Sequence, residues 1–165
     1  MDLDEYLQSF DDHHQPLFRF AYRLTGSMAD AEDIVQECFL MLLRPGSSYN
    51  PKRTPLRTYL FGVVRNQSLK RLRKRNPALE VPESPTPETE LLRNELEDVV
   101  SKAVTQLPEI QKEVLILAHY EQMPLAEIAG VLGIETGAVK SRLQRARAAL
   151  KESLAAYAPN LERKR

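Results

Sequence analysis

The fold is decided by residues 124–154, which read PLAEIAGVLGIETGAVKSRLQRARAALKESL. Apolar residues at helical spacing predict a short helix that begins at Pro124 and continues through Leu132, and Gly133 then breaks the chain. A longer basic helix follows from about Thr136 to Leu154. The residues predicted to face inward from it are Val139, Leu143, Ala146, Leu150 and Leu154. This order of elements predicts a helix-turn-helix, the motif whose second helix enters the major groove of DNA.

The second helix of this motif carries residue types that can read duplex DNA. Four of them occupy its first two turns: Lys140, Ser141, Gln144 and Arg145. Lysine and arginine can donate to guanine and glutamine can pair with adenine, so this group is predicted to contact bases. Arg142, Arg147 and Lys151 lie farther round or farther along, where phosphate contacts are expected. The alternative is a solvated face of a small helical bundle.

The rest of the sequence also reads as helices, and no strand pattern stands out. One helix ends at Gly26, a second begins near Asp30 and ends at Arg44, and a third follows a loop at 45–55. After position 90 the spacing predicts a helix that ends before Leu107 and another that runs from Pro108 to about Glu121. Two apolar stripes are Ala31, Ile34, Val35, Cys38, Phe39 and Leu42 in the second helix, and Ile110, Val114, Leu117 and Ala118 in the last one.

Residues 77–90 hold four prolines and four glutamates and lack the apolar content to form a core. They predict a flexible linker between a domain at 1–76 and a domain at 91–165. The predicted fold class is therefore all-α: two small helical domains joined by a Pro/Glu-rich linker, the C-terminal one a helix-turn-helix.

The formal net charge of zero conceals four blocks of opposite sign. Residues 1–43 carry a net −7, residues 44–75 a net +10, residues 76–137 a net −9 and residues 138–165 a net +6. Two cationic segments separated by acidic ones predict two surfaces for a polyanion on a chain that does not bind nucleic acid everywhere.

Several function classes find no support in the sequence. Asp11, Asp12, His13 and His14 are adjacent rather than at metal-ligand spacing, and there is no P-loop and no paired C-x-x-C motif. We therefore expect no enzyme activity, no cofactor, no metal site and no catalytic residue. The longest apolar run has six residues, Cys38–Leu43, so no membrane insertion is expected. The N-terminus lacks a secretory pattern, which predicts a cytoplasmic protein, and Cys38 is expected in the core. His119 is expected to be a semi-buried packing residue rather than a base.

The sequence resembles extracytoplasmic-function (ECF) sigma factors of the sigma-70 family of bacterial RNA polymerase. Residues 107–147, from LPE through LGI to GAVKSRLQRAR, look like region 4. Residues 30–40, DAEDIVQECFL, look like region 2.2, and residues 56–66, LRTYLFGVVRN, look like regions 2.3 and 2.4. A region 4 motif alone is shared with many regulators, whereas the pair in this order is specific.

The resemblance implies a transcription initiation factor that binds the polymerase core and recognises promoters. Region 4 would bind the β flap and read the duplex minus-35 element through Lys140, Ser141, Arg142, Gln144, Arg145 and Arg147. Region 2 would bind the melted minus-10 element through Tyr49, Asn50, Lys52, Arg53, Arg57, Tyr59, Arg65, Asn66, Lys70 and Arg73. It would dock on the β′ clamp helices through Asp30, Asp33, Gln36, Glu37 and Leu40. An anti-sigma factor is a further expected partner.

Three alternatives remain open at this point. A helix-turn-helix regulator that acts without the polymerase core would share the second domain but has no need of the first. The acidic residues Asp30–Asp33 would also be explained by the dipole of their own helix. Tyr49 and Tyr59 would equally serve to complete the hydrophobic core.

Overall fold

The computed structural model of the chain describes residues 1–75 and 95–156. The described residues form two compact units, one that contains residues 1–75 and 130–133 and one that contains residues 95–129 and 134–156. Every regular element in these ranges is helical, which confirms the predicted all-α class. Each of the helices is too short or too polar to traverse a bilayer. The predicted linker at 77–90 lies outside the described residues.

The first unit is a three-helix arrangement of α1 (Leu3–Thr25), α2 (Met28–Leu43) and α3 (Leu56–Lys74). Helix α1 begins with a capping box, in which the side chains of Asp2 and Glu5 each accept a hydrogen bond from the other's backbone N–H. It ends at Gly26, as predicted, and the φ of 72° at this glycine forms a left-handed cap. The side chain of Ser27 then caps α2 through the backbone N–H of Asp30.

Aromatic side chains from all three helices fill the core of the first unit. The ring of Phe10 lies 5.0 Å from that of Phe39, and the ring of Phe20 lies 5.4 Å from that of Phe61. Cys38 is fully buried, as predicted, and its thiol donates to the carbonyl of Leu60 at 3.8 Å. These contacts fix the angle at which α2 and α3 display their outer faces.

The second unit contains α4 (Glu95–Thr105), α5 (Glu109–Leu115) and α7 (Thr136–Ala155), together with α6 (Leu125–Leu132) as far as Ala129. Helix α5 continues into a π-helical turn over Ile116–Tyr120, closed by a bond from the N–H of Glu121 to the carbonyl of Ile116. Helices α4 and α5 both pack against α7. The buried residues of α7 are Val139, Leu143 and Ala146.

Four expectations about burial in this unit were wrong. Ile110 is 53% exposed because it lies in the first turn of α5, before the packed part of the helix begins. His119, read as a semi-buried packing residue, is exposed in the π-helical turn, which breaks the helical period. Leu150 and Leu154 are only half-buried, because they lie on the C-terminal part of α7, beyond its fully buried positions.

Candidate nucleic-acid interfaces and docking face

The turn between α6 and α7 is the one that a helix-turn-helix requires. Gly133 has a φ of 67°, and the N–H of Ile134 donates to the carbonyl of Ala129 at 3.1 Å. This left-handed glycine with a bond back to the last turn of α6 is a Schellman cap. Helix α7 then begins after Glu135, and the N–H of Val139 closes its first turn on the carbonyl of Glu135 at 3.2 Å. The predicted helix-turn-helix is therefore present.

The outer face of α7 displays most of the residues predicted to bind the minus-35 element. With about 100° between successive residues, Ser141, Gln144 and Arg145 lie opposite the buried stripe, and all three are exposed. Lys140 and Arg147 are also exposed and form a row along one edge of this face. Arg142 lies on the other edge and is half-buried. A central polar strip with cations on both sides matches the arrangement of base edges between two phosphate backbones.

The outer face of α3 brings together four of the predicted minus-10 residues. The side of this helix that faces the core carries the fully buried Leu60, Phe61, Val64 and Ser68. At helical spacing the opposite side carries Tyr59, Asn66, Lys70 and Arg73, of which the last three are exposed and Tyr59 is half-buried. One aromatic ring, one amide and two cations thus share a single surface.

The loop that precedes α3 extends this surface. The rings of Tyr49 and Tyr59 lie 5.1 Å apart, and the hydroxyl of Tyr59 lies 2.9 Å from Oγ of Ser48. Asn50 shapes the loop, because its Oδ1 accepts from the N–H of Lys52 at 2.9 Å and its carbonyl accepts from Arg53. Lys52 and Arg53 are exposed beside it. The role of Ser48 was missed by the sequence reading, which gave no signal for it.

Two of the predicted minus-10 residues belong to α3 but do not lie on its outer face. The guanidinium of Arg57 lies 5.7 Å from the ring centroid of Phe61, a cation–π contact on the side of α3 that faces the core. Burial lowers the pKa of the nearby His13, Asp12 opposes this shift and the charge of Arg57 adds to it. Arg65 is half-buried, and its Nη1 donates to Oδ1 of Asn66 at 3.4 Å.

The outer face of α2 collects four of the five residues predicted to dock on the polymerase. Asp33, Gln36, Glu37 and Leu40 lie opposite the buried stripe of this helix. Leu40 is 55% exposed, and several other large apolar side chains of this unit are exposed as well. An exposed leucine among acidic and amide groups suits a partner surface that is basic at its rim and apolar at its centre.

The fifth residue, Asp30, lies on the flank of α2 that faces α3. Its Oδ1 lies 3.0 Å from Nη1 of Arg71, and its Oδ2 pairs with Arg75. Arg71 also lies 3.7 Å from Oδ2 of Asp33. The sequence reading missed Arg71 and Arg75, because nothing in a local pattern links positions 30 and 71. Two of the ten cations of residues 44–75 thus neutralise carboxylates of α2 and do not add to the cationic surface of α3.

Comparison with known proteins gives matches to both units. Residues 10–77 match the family model of sigma-70 region 2, and residues 97–150 match that of sigma-70 region 4. The ECF RNA polymerase sigma factor SigL of Mycobacterium tuberculosis is 36% identical over 88% of this chain and 86% of its own length. Among solved structures, RpoE in complex with the anti-sigma factor NepR from Bartonella quintana is 25% identical, with a TM-score of 0.76 over 93% of this chain and 98% of that one. CnrH in complex with the cytosolic domain of CnrY is 28% identical, with a TM-score of 0.73 over 94% and 90%.

Proposed function

The chain belongs to the ECF sigma factors of bacterial RNA polymerase, and we propose that its two units divide the promoter between them. As a member of this family it is a transcription initiation factor that binds the polymerase core and directs it to promoters. The match to region 2 disfavours a regulator that acts without the core, because such a protein has no use for that region. We propose the domain limits 1–76 and 91–165, joined by a linker at 77–90.

The second unit is proposed to read the minus-35 element as duplex DNA. Helix α7 would enter the major groove with Ser141, Gln144 and Arg145 towards the bases and Lys140 and Arg147 towards one backbone. Arg142 would reach the phosphates on the other edge. This assignment is supported by the Schellman turn at Gly133, which ends α6 shortly before α7 begins, and by the exposure of the central polar strip of α7. The β flap is the proposed polymerase contact of this unit.

The first unit is proposed to bind the minus-10 element as separated strands. A base that leaves the duplex loses its stacking, and a protein that holds it must replace that energy with aromatic contacts and a cationic groove. The tyrosine pair, Asn66 and the exposed cations Lys70 and Arg73 supply both kinds of contact on one surface. Lys52, Arg53, Asn50 and Arg65 would contribute from the loop and the flank of α3.

The docking face of α2 is proposed to bind the clamp helices of the β′ subunit. The observation that carries the whole proposal is that the first unit presents two opposite chemistries: an acidic and apolar face on α2 and a cationic face on α3. A bridge between a polymerase and a nucleic acid needs both, whereas a plain DNA-binding protein needs only the second.

Two further properties follow by analogy with the relatives. The two structural relatives were solved with NepR and with the cytosolic domain of CnrY, the first of these an anti-sigma factor. We propose that this chain is also held inactive by an anti-sigma factor, that it works in the cytoplasm with the polymerase, and that it has no enzyme activity of its own.

The test uses purified chain, bacterial core polymerase and a library of duplex DNA with randomised minus-35 and minus-10 positions. We expect transcripts that begin at a fixed distance from one pair of enriched sequences, identified from the RNA 5′ ends. The control reaction contains the core enzyme alone. The proposed function would be contradicted if the reaction with the chain and the reaction with core enzyme alone gave the same RNA 5′ ends, with no enriched sequence at the randomised positions in either.

A further inference from the structure

Asp30 lies where three helix ends of the first unit meet. It belongs to the first turn of α2, close to the last residues of α1 and the last turn of α3. Its two carboxylate oxygens pair with Arg71 and Arg75 respectively. Nη1 of Arg75 also donates to the carbonyl of Thr25 at 2.8 Å, and thus satisfies an acceptor at the C-terminus of α1 that the helix itself leaves open.

This cluster is more sheltered than an ordinary surface ion pair. The side chain of Asp30 is 23% exposed, whereas that of Asp33, one turn later on the docking face, is 64% exposed. The side chains of Arg71 and Arg75 are 29% and 27% exposed. Partly desolvated charges attract each other more strongly than exposed ones, and the loss of one partner leaves the others in a poor environment.

The two arginines also divide the last turns of α3 into two sides. Arg71 and Arg75 are four residues apart, so they share the side that faces α2. Arg73 lies on the opposite side with Tyr59 and Asn66, on the surface assigned to the minus-10 strand, and Lys70 lies at the edge of that surface, where it borders a cavity that Asp30 and Arg71 also line. Because a helix is rigid over two turns, fixing one side fixes the direction in which the other points.

We propose that Asp30 is a positioning residue for promoter opening, and that it orients the minus-10 surface of α3 through Arg71 and Arg75. It does not act by contact with the polymerase, in contrast to its neighbours on the docking face. This inference rests on the proposed function, since it assigns a task to one residue of the same site. Through these two ion pairs, Asp30 would couple the position of α2 on the polymerase to the orientation of α3, which holds the minus-10 strand.

The test compares Asp30→Asn with the control Leu40→Ala in the full chain, because Leu40 is an exposed apolar residue of the docking face and carries no charge that could pair with Arg71. Two affinities are measured: that of each variant for the polymerase core, and that of the core-bound variant for a fluorescent single-stranded minus-10 oligonucleotide taken from the sequences enriched in the library experiment. We expect Asp30→Asn to leave core affinity within about twofold and to weaken oligonucleotide binding by about fivefold or more. We expect Leu40→Ala to weaken core binding instead. Loss of core affinity in Asp30→Asn without loss of oligonucleotide binding would overturn the inference, and so would no change in either.

A double-mutant cycle tests whether Asp30 acts through Arg71, and the free energy of unfolding of each variant, measured by denaturant titration, separates positioning from a general loss of stability. If Asp30 acts through Arg71, then Asp30→Asn combined with Arg71→Gln should bind the oligonucleotide no more weakly than the worse of the two single variants. The conservative variant Arg71→Lys should retain most of the affinity. Additive losses would overturn the inference, as would an equal loss in Arg71→Lys. Failure of the unmodified chain to produce start-specific transcripts would count against the proposed function and is scored separately.

Discussion

The ring of Tyr49 packs against the ring of Tyr59 at 5.1 Å and a tilt of 47°. The contact joins the loop before α3 to the first turn of that helix, and the bond between Tyr59 and Ser48 strengthens the junction. Both rings nevertheless remain half-buried. Neither ring therefore belongs to the core of Phe20, Phe39 and Phe61, and an incoming base has an aromatic surface to meet.

We expect Tyr59→Ala to weaken binding of the core-bound protein to a single-stranded minus-10 oligonucleotide by roughly 1–3 kcal/mol, the usual contribution of one stacked base. Tyr59→Phe keeps the ring and should stay close to the unmodified protein. Fluorescence anisotropy at fixed salt measures both. If Tyr59→Ala lowers the free energy of unfolding but leaves oligonucleotide affinity unchanged, the two tyrosines serve the fold alone.

Arg145 and Arg147 test the division of α7 into a central strip and an edge. Arg145→Ala should weaken binding to the enriched minus-35 sequence by roughly 1–3 kcal/mol and relax the preference for it. Arg147→Ala should weaken binding to all sequences similarly and reduce the slope of the salt dependence by about one. Holoenzyme affinity for intact and scrambled minus-35 duplexes distinguishes the two, and equal behaviour of both variants on the two duplexes would refute the assignment.

Charge reversal on the docking face should prevent assembly with the polymerase. Asp33→Lys combined with Glu37→Lys places two cations on the outer face of α2, and we expect core affinity to fall by at least about tenfold. Asp4→Lys combined with Asp11→Lys is the matched control, because it makes the same change of charge at two exposed carboxylates of α1 and leaves α2 unchanged. Circular dichroism checks that each variant is folded. Core affinity unchanged in the double variant would exclude this face as the docking site.

Gly133 and Gly137 make a matched pair for the helix-turn-helix. An added Cβ meets no neighbour at either position, but Gly133 has a φ of 67° and Gly137 lies in the first turn of α7. Gly133→Ala should lower the free energy of unfolding by about 1 kcal/mol because of the left-handed backbone. Gly137→Ala should raise it by up to about 1 kcal/mol through helix propensity. Denaturant titration measures both, and the same sign for both variants would contradict the cap.

The buried thiol of Cys38 gives a prediction for alkaline pH. Burial raises the pKa of this thiol to about 12, with a smaller contribution from the charge of Glu37. The thiol of the unfolded chain ionises near pH 8.5, so the unfolded state gains stability above that pH while the folded state keeps its proton. Relative to Cys38→Ala, the free energy of unfolding should be constant below about pH 8 and then fall by up to about 1.4 kcal/mol per pH unit towards pH 12. A flat difference between pH 8 and pH 11 would show that the thiol is accessible in the fold.

The sequence predicted those features that depend on neighbouring residues. Gly26 and Gly133 identified helix ends because a left-handed cap favours glycine and depends only on residues within one helical turn. The stripe of Val139, Leu143 and Ala146 identified the buried side of α7 because a single periodicity runs through that part of the helix. The outward placement of Ser141, Gln144 and Arg145 followed from the same period.

Features that depend on long-range contacts could not be predicted in this way. Asp30 and Arg71 are 41 residues apart, and the blocks of charge that contain them looked like two independent surfaces. The π-helical turn at Ile116–Tyr120 shifts the phase of the helix, and His119 within it is exposed although a semi-buried position was expected. The start of α1 could not be predicted from a buried apolar stripe, because Leu3 and Leu7 are exposed. The local feature that marks this helix start is the capping box of Asp2 and Glu5.

The guanidinium of Arg75 has a practical consequence for the preparation of the first unit as a separate fragment. Helix α3 ends at Lys74, and a cloning boundary drawn at that residue would appear safe. It would delete the group that occupies the open carbonyl of Thr25 and balances the second oxygen of Asp30. Expression plasmids for this piece should therefore continue past position 75, or the shortened product will start to fray where all three helices converge.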